Sequence, residues 1–230
     1  MASRTGLTLL RNARGGDAQA QLALGQVYLT GEHGLGKSPA TAYHWLEMAA
    51  RAGLQEAWTL IGAQIPLEAL KDAEGALPWY RRAAAAGVAP AQRTVAVRLL
   101  ERAGAQEGDP YRQAESPAAQ EAIALLNQAA ARGDMQAQEI LGEFHFSGRH
   151  VPKDRVLARA WLERAAAQGS SGAQRQLISL CAGERDLAGV ERHARALAQQ
   201  GEAYASYALG MALLGRVPLP APPALQHAQP

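Results

Sequence analysis

Six glycines set the frame of this chain. Gly16, Gly53, Gly87, Gly133, Gly169 and Gly201 stand 37, 34, 46, 36 and 32 residues apart. Self-similarity at such a period is the mark of a helical solenoid. Four residues after each glycine comes alanine: Ala20, Ala57, Ala91, Ala137, Ala173 and Ala205. Eight after comes an apolar residue: Leu24, Ile61, Val95, Leu141, Leu177 and Leu209. Nine after comes a small one, Gly25, Gly62, Ala96, Gly142 and Gly210, with Ile178 the exception. Such offsets share a helical face.

Counting back from the next glycine phases a second helix. Eight before it stand Trp45, Trp79, Leu125, Trp161 and His193. Three before it stand Ala50, Ala84, Ala130, Ala166 and Ala198, and eleven before it Ala42, Ala76, Ala122, Ala158 and Val190. Each second helix therefore carries a large residue beside a strip of small ones. Small residues let two backbones approach, and the tryptophans are expected to fill the core ridge beside them. The glycines suit a helix C′ position, which favours positive φ. A hairpin this short cannot bury its own apolar face, so stacking on neighbours supplies the core. The prediction is an all-α, right-handed α/α solenoid of stacked helix-turn-helix repeats.

These residues resemble the Sel1-like repeat, a relative of the tetratricopeptide repeat. The family pattern is carried most fully by Ala137, Gln138, Leu141, Gly142, Gly148, Val151, Asp154, Ala158, Trp161, Ala165, Ala166 and Gly169. The first repeat carries it at Ala20, Gln21, Leu24, Gly25, Tyr28, Gly31, Ala42, Trp45, Ala49, Ala50 and Gly53. His145 stands at the tyrosine position and His150 at a glycine. The second, third and fifth repeats lack the Gly-Val-Asp turn. The resemblance implies bacterial protein–protein interaction, in signalling, envelope assembly or secretion. Some proteins of this kind are labelled β-lactamases, but neither Ser-x-x-Lys nor Gly-x-Ser-x-Gly occurs here.

The expected organisation is an N-terminal capping half-repeat at 1–15 and a repeat array at 16–215. Its units fall near 16–53, 54–87, 88–133, 134–169, 170–201 and 202–215. A Pro-rich tail at 216–230, expected to be disordered or extended, follows. Ser38 and Pro39 suit the N-cap and first position of a second helix. Pro78 lies inside the second helix of the second unit and is expected to kink or shorten it. Residues 103–117 form the longest connection between helices.

Charge is nearly balanced, at +2, and signs are interspersed, which gives no footprint for nucleic acid. Cys181 is the only cysteine, so no intramolecular disulfide can form. No apolar run is long enough to span a bilayer. The opening MASRTGLTLLRNARGG lacks a signal-peptide core, so the chain as given reads as cytoplasmic, with the periplasm as alternative.

Three stretches invite a chemical reading. Residues 31–38, GEHGLGKS, satisfy the phosphate-loop pattern letter for letter. That mechanism needs a strand before the loop, whereas AQAQLALGQVYL has helical period, so the stretch reads as an inter-helix turn. His33, His145 and His150 lie at turns, but a metal site needs at least three placed ligands. Cys181 on an apolar helix has no base beside it in sequence and reads as a core residue. No catalytic, metal or cofactor-binding residue is assigned.

The functional surface must then come from architecture. A superhelical stack presents an extended groove, and the resemblance to related repeats implies that mainly first helices line it. Offsets three, six and ten select Gln19, Gln26, Glu56, Thr59, Arg93, Gln136, Glu139, Glu143, Arg175, Ser179, Tyr204, Tyr207 and Met211. A polar middle and a Tyr/Met end suit a polypeptide partner with an apolar anchor. The expected role is a non-catalytic scaffold or adaptor. The rivals are an enzyme-associated, hydrolase-like protein and a self-assembling structural unit.

Overall fold

The computed structural model describes residues 3–106 and 116–216. Twelve α-helices occupy these residues: α1 Arg4–Arg14, α2 Ala18–Thr30, α3 Pro39–Arg51, α4 Gln55–Gln64, α5 Ala73–Ala85, α6 Ala89–Gln106, α7 Pro117–Ala131, α8 Met135–Ser147, α9 Arg155–Ala167, α10 Ser171–Gly183, α11 Leu187–Ala198 and α12 Ala203–Leu213. A single 3₁₀ turn, Leu67–Ala69, follows α4. There is no strand among the described residues, and no helix there is long and apolar enough to cross a membrane. Two compact units result, one built by α1–α7 to Arg132 and one by α8–α12 from Gly133. In each unit the even-numbered first helices pack on their odd-numbered neighbours. Each is therefore a stack of helix-turn-helix repeats.

Local chemistry explains the boundaries. All six framing glycines have φ between 81° and 95°, the left-handed region a C′ glycine enters without a Cβ penalty. Second helices α3, α5, α9 and α11 start at Ser38, Asp72, Asp154 and Asp186, whose side chains accept backbone N–H bonds of the first turn. Ser38 and Pro39 take the cap and first-turn roles expected of them. α5 runs thirteen residues through Pro78, as long as α3, so the expected shortening does not occur. Pro78 is exposed, while Ala76, Leu77, Tyr80, Ala83 and Ala84 are buried. Their burial outweighs one lost backbone hydrogen bond. The Tyr80 hydroxyl also donates to the Ile65 carbonyl at 2.7 Å, fastening the end of α4. α6 reaches Gln106, three residues past its expected end. Residues 107–115 of the connection, and the tail from 217, lie outside the described residues.

The small residue nine after each glycine is explained by what touches it. A Cβ on Gly25 would lie 2.5 Å from Leu46 Cγ, and one on Gly142 would lie 2.6 Å from Leu162 Cγ. Glycine there is the notch into which a leucine of the following helix fits. That leucine is seven before the next glycine, in the column Leu46, Tyr80, Leu126, Leu162 and Ala194, all fully buried. This corrects the expected tryptophan ridge. Trp45 is buried, but Trp79 and Trp161 are half-exposed, with Arg82 and Arg164 4.9 and 4.8 Å from their ring centroids. The fifth repeat inverts the pair: Ile178 fills the notch position and Ala194 stands where others have leucine, both in one buried cluster.

A second column joins successive repeats. Gln21, Gln92, Gln138 and Gln174, five after the glycine, are buried. Gln21 Nε2 donates to Ala13 O and Gln92 Nε2 to Ala84 O, both at 3.2 Å. These acceptors lie in the last turn of the preceding second helix, whose carbonyls lack intrahelical partners. In the second repeat Trp58 takes the place and stacks on Trp79, with centroids 6.4 Å apart.

Two outcomes are expected. Ala194→Leu should overpack Ile178 and cost about 1–3 kcal/mol in urea unfolding. Ile178→Ala in the same chain should recover part of that loss, with a coupling above about 0.5 kcal/mol; additive losses would refute the paired positions. His193 is buried at the tryptophan position, and burial, with Arg192 and Arg159 nearby, lowers its imidazole from 6.5 to about 4. The unfolded chain therefore binds the proton first. Stability from the neutral ring is complete above pH 6.5 and is lost as pH falls toward 4, by at most about 3–4 kcal/mol at roughly 1.4 kcal/mol per unit. His193→Leu should flatten the urea midpoint of the second unit between those pH values.

Candidate interaction surface

In the first unit the first helices leave an open cleft of about 560 Å³ between α1, α2 and α4. Leu9, Val27 and Leu60 give it an apolar floor, and Gln26, Glu32, His33 and Gln64 a polar edge. Gln26, from the predicted set, lines it, and its amide donates to Glu56 on α4 at 3.1 Å. Gln19 is exposed on α2, Thr59 turns its hydroxyl onto the Gln55 carbonyl at 3.0 Å, and Arg93 is half-buried on α6. The cleft also takes Ala23 and Leu60, seven after their glycines, and Val27 and Gln64, eleven after. Those positions were missed in the sequence. A helix advances 100° per residue, so offsets 3, 7, 10 and 14 share a face and offset 6 falls to its side. The readable signal was the apolar Leu60 at an offset that the core columns do not use.

In the second unit the predicted residues pair with one another or with near neighbours. Glu139 accepts from Ser170 Oγ at 2.5 Å, Glu143 meets Arg149 at 3.2 Å, and Arg175 meets Glu202 at 3.3 Å. Ser179 donates to the Arg175 carbonyl at 3.3 Å, and Gln136 is exposed. Ion pairs this accessible contribute less than about 1 kcal/mol each. They neutralise Glu143 and Arg175, while Glu139 keeps its charge beside the Ser170 hydroxyl. Beyond them, on α12, Tyr204 and Tyr207 lie with ring centroids 6.1 Å apart, and Met211 is half-buried. Burial raises the Tyr204 hydroxyl pKa, which keeps it neutral.

The phosphate-loop look-alike is a turn. α2 precedes it, Gly31 closes α2 at φ 83°, and Ser38 caps α3 while its N–H donates to Tyr28 O at 2.9 Å. His33 and His150 share one turn position at φ 54° and 64°, which explains why a glycine is expected there. The His150 ring packs edge-on against Phe144 at 4.9 Å, and burial lowers its pKa. His145, half-buried, lies 3.3 Å through Nδ1 from Pro152 O. Among the described residues no three His, Cys, Asp or Glu side chains are grouped to hold a metal ion. Cys181 is fully buried and its thiol pKa is raised by burial, although an Arg159 nitrogen lies 3.6 Å from Sγ. It is therefore a packed thiol, not a thiolate nucleophile.

Comparison with known proteins follows the same lines. The model of the Sel1 repeat matches residues 18–54, 67–88, 115–134 and 136–170. A protective antigen of uropathogenic Escherichia coli strains, displaying an SLR fold, is 27% identical with a TM-score of 0.68. The alignment covers 93% of this chain and 45% of that one, so this chain spans just under half its length. A Sel1 repeat protein from Oxalobacter formigenes is 26% identical with a TM-score of 0.62, over 85% of this chain and 78% of that one. A search of curated proteins found no sequence match. With the same offsets read in the sequence, filled in the core and matched by these relatives, the chain belongs to the Sel1-like repeat family.

Proposed function

We propose that this chain is a non-catalytic protein-interaction scaffold whose first helices hold an extended polypeptide of a partner. Sel1 repeats generally mediate protein interactions. The cleft between α1, α2 and α4 supports the reading most directly. Its floor of Leu9, Val27 and Leu60 suits one apolar side chain, and the Gln26 and Gln64 amides suit the N–H and C=O groups of an extended backbone. In the second unit Gln136, Glu139, Glu143, Arg175 and Ser179 would supply polar contacts. Tyr204, Tyr207 and Met211 would supply the apolar anchor, aromatic residues being common hot spots.

The test is selection of peptides from a random displayed library, followed by calorimetric titration. Leu60→Glu and Gln64→Arg should each weaken selected peptides at least about tenfold, about 1.4 kcal/mol, with the helical circular dichroism unchanged. Peptides that bind both variants undiminished, or a selection that yields none above background, would count against the cleft.

A further inference from the structure

The first helices α2, α4, α6, α8 and α10 are each followed by a second helix packed along them, and α12 is not, among the described residues. The stripe such a helix would cover lies eight, nine and twelve after Gly201: Leu209, Gly210 and Leu213. At offset nine a Cβ on Gly25, Gly62 or Gly142 would meet a packed side chain at 2.5–2.6 Å, while nothing lies within 4 Å of one on Gly210. At offset twelve Ile65, Leu99 and Cys181 are 3, 9 and 0% exposed, and Leu213 is 66% exposed. Leu214 beside it is 71% exposed. Among the described residues α12 thus carries an empty notch and an uncovered knob.

We propose that this stripe docks on the same stripe of a second copy of the chain, as an antiparallel α12–α12 pair about a twofold axis. Notch and knob are three residues, about one helical turn, apart. An antiparallel partner of identical sequence sets its Leu213 over Gly210 and receives the reciprocal contact. This continues the packing already used inside the repeats, where Leu46 and Leu162 enter the Gly25 and Gly142 notches of antiparallel neighbours. Electrostatics favour the same occupant. A twofold contact sets each charge against its own copy, and residues 203–214 carry none. The other end helix that could bring a leucine, α1, flanks its 57% exposed Leu7 with Ser3, Arg4, Thr8 and Arg11, polar groups that are costly to bury. One helix pair is smaller than the roughly 1,200–2,000 Å² of a standard interface, so the dimer is a micromolar one.

Sedimentation velocity of the full 230-residue chain from about 5 to about 500 µM reads this directly. The expected mass rises from one copy to two and stops there. Leu213→Asp and Gly210→Leu should each weaken association at least about tenfold. Gly210 has open space around it, so unchanged circular dichroism separates lost docking from lost folding. Leu7→Asp, on the exposed face of α1, should leave the dimer intact. A monomer at every concentration, growth beyond two copies, a dimer that survives both α12 variants, or a dimer lost with Leu7→Asp overturns the proposal.

Discussion

Everything in these repeats depends on how closely two helices can lie. Leucine entering a glycine notch, Leu46 at Gly25 and Leu162 at Gly142, brings the second helix onto the backbone of the first. At that distance only small side chains fit alongside, and Ala42, Ala49, Ala158 and Ala165 are all fully buried. The alanine-rich core follows from the close approach. The fifth repeat keeps the same volume by exchanging sides, with Ile178 opposite Ala194. Interiors packed to crystal-like density respond to summed volume across a contact, and each partner can vary if the other compensates.

The link between repeats is polar. Gln21 and Gln92 give their amides to carbonyls that the preceding helix end leaves without intrahelical partners. Those carbonyls also accept from the closing Gly16 and Gly87 N–H groups, so the group at stake is the buried glutamine amide: its hydrogen bond adds about 0.5–1.5 kcal/mol net, and leaving it unpaired would cost more. Such bonds therefore fix which residue of one helix meets which of the next. With the core consumed by packing and the turns by caps, the proposed function leaves recognition to first-helix side chains. In the second unit Glu143 and Arg175 already have opposite-charge partners in Arg149 and Glu202. Under that proposal, discrimination among partners would rest on shape and apolar contact, in the cleft floor and on the tyrosines of α12.

Much of this was legible in the residues. The framing glycines, the Ser38 and Pro39 start of α3 and the helical period before the GEHGLGKS turn are local signals, and local backbone chemistry decides them. Pro78 did not shorten its helix: a proline rule counts one lost hydrogen bond and not the five buried side chains of that helix. The tryptophan column misled because the largest residue of a repeat is not its most buried. A column eight before the glycine and one seven before it lie 100° apart on the wheel, and only contact distances say which faces the notch. The cleft adds offsets seven and eleven to the ten that spacing chose at Gln26, and that rotation too shows only in the contacts.

The sequence by itself determined the repeat, its helices, their caps and the volume available at each core position, because these rest on φ preferences, hydrogen-bonding groups and spacing along one chain. Only the tertiary structure decided which apolar residues are covered. Leu209 and Leu213 share the spacing of buried positions and Leu60 does not, yet Leu213 stands in solvent and Leu60 lines a cleft. Burial is a property of what lies opposite, and the residues opposite come from another helix, whose rotation no single helical period contains.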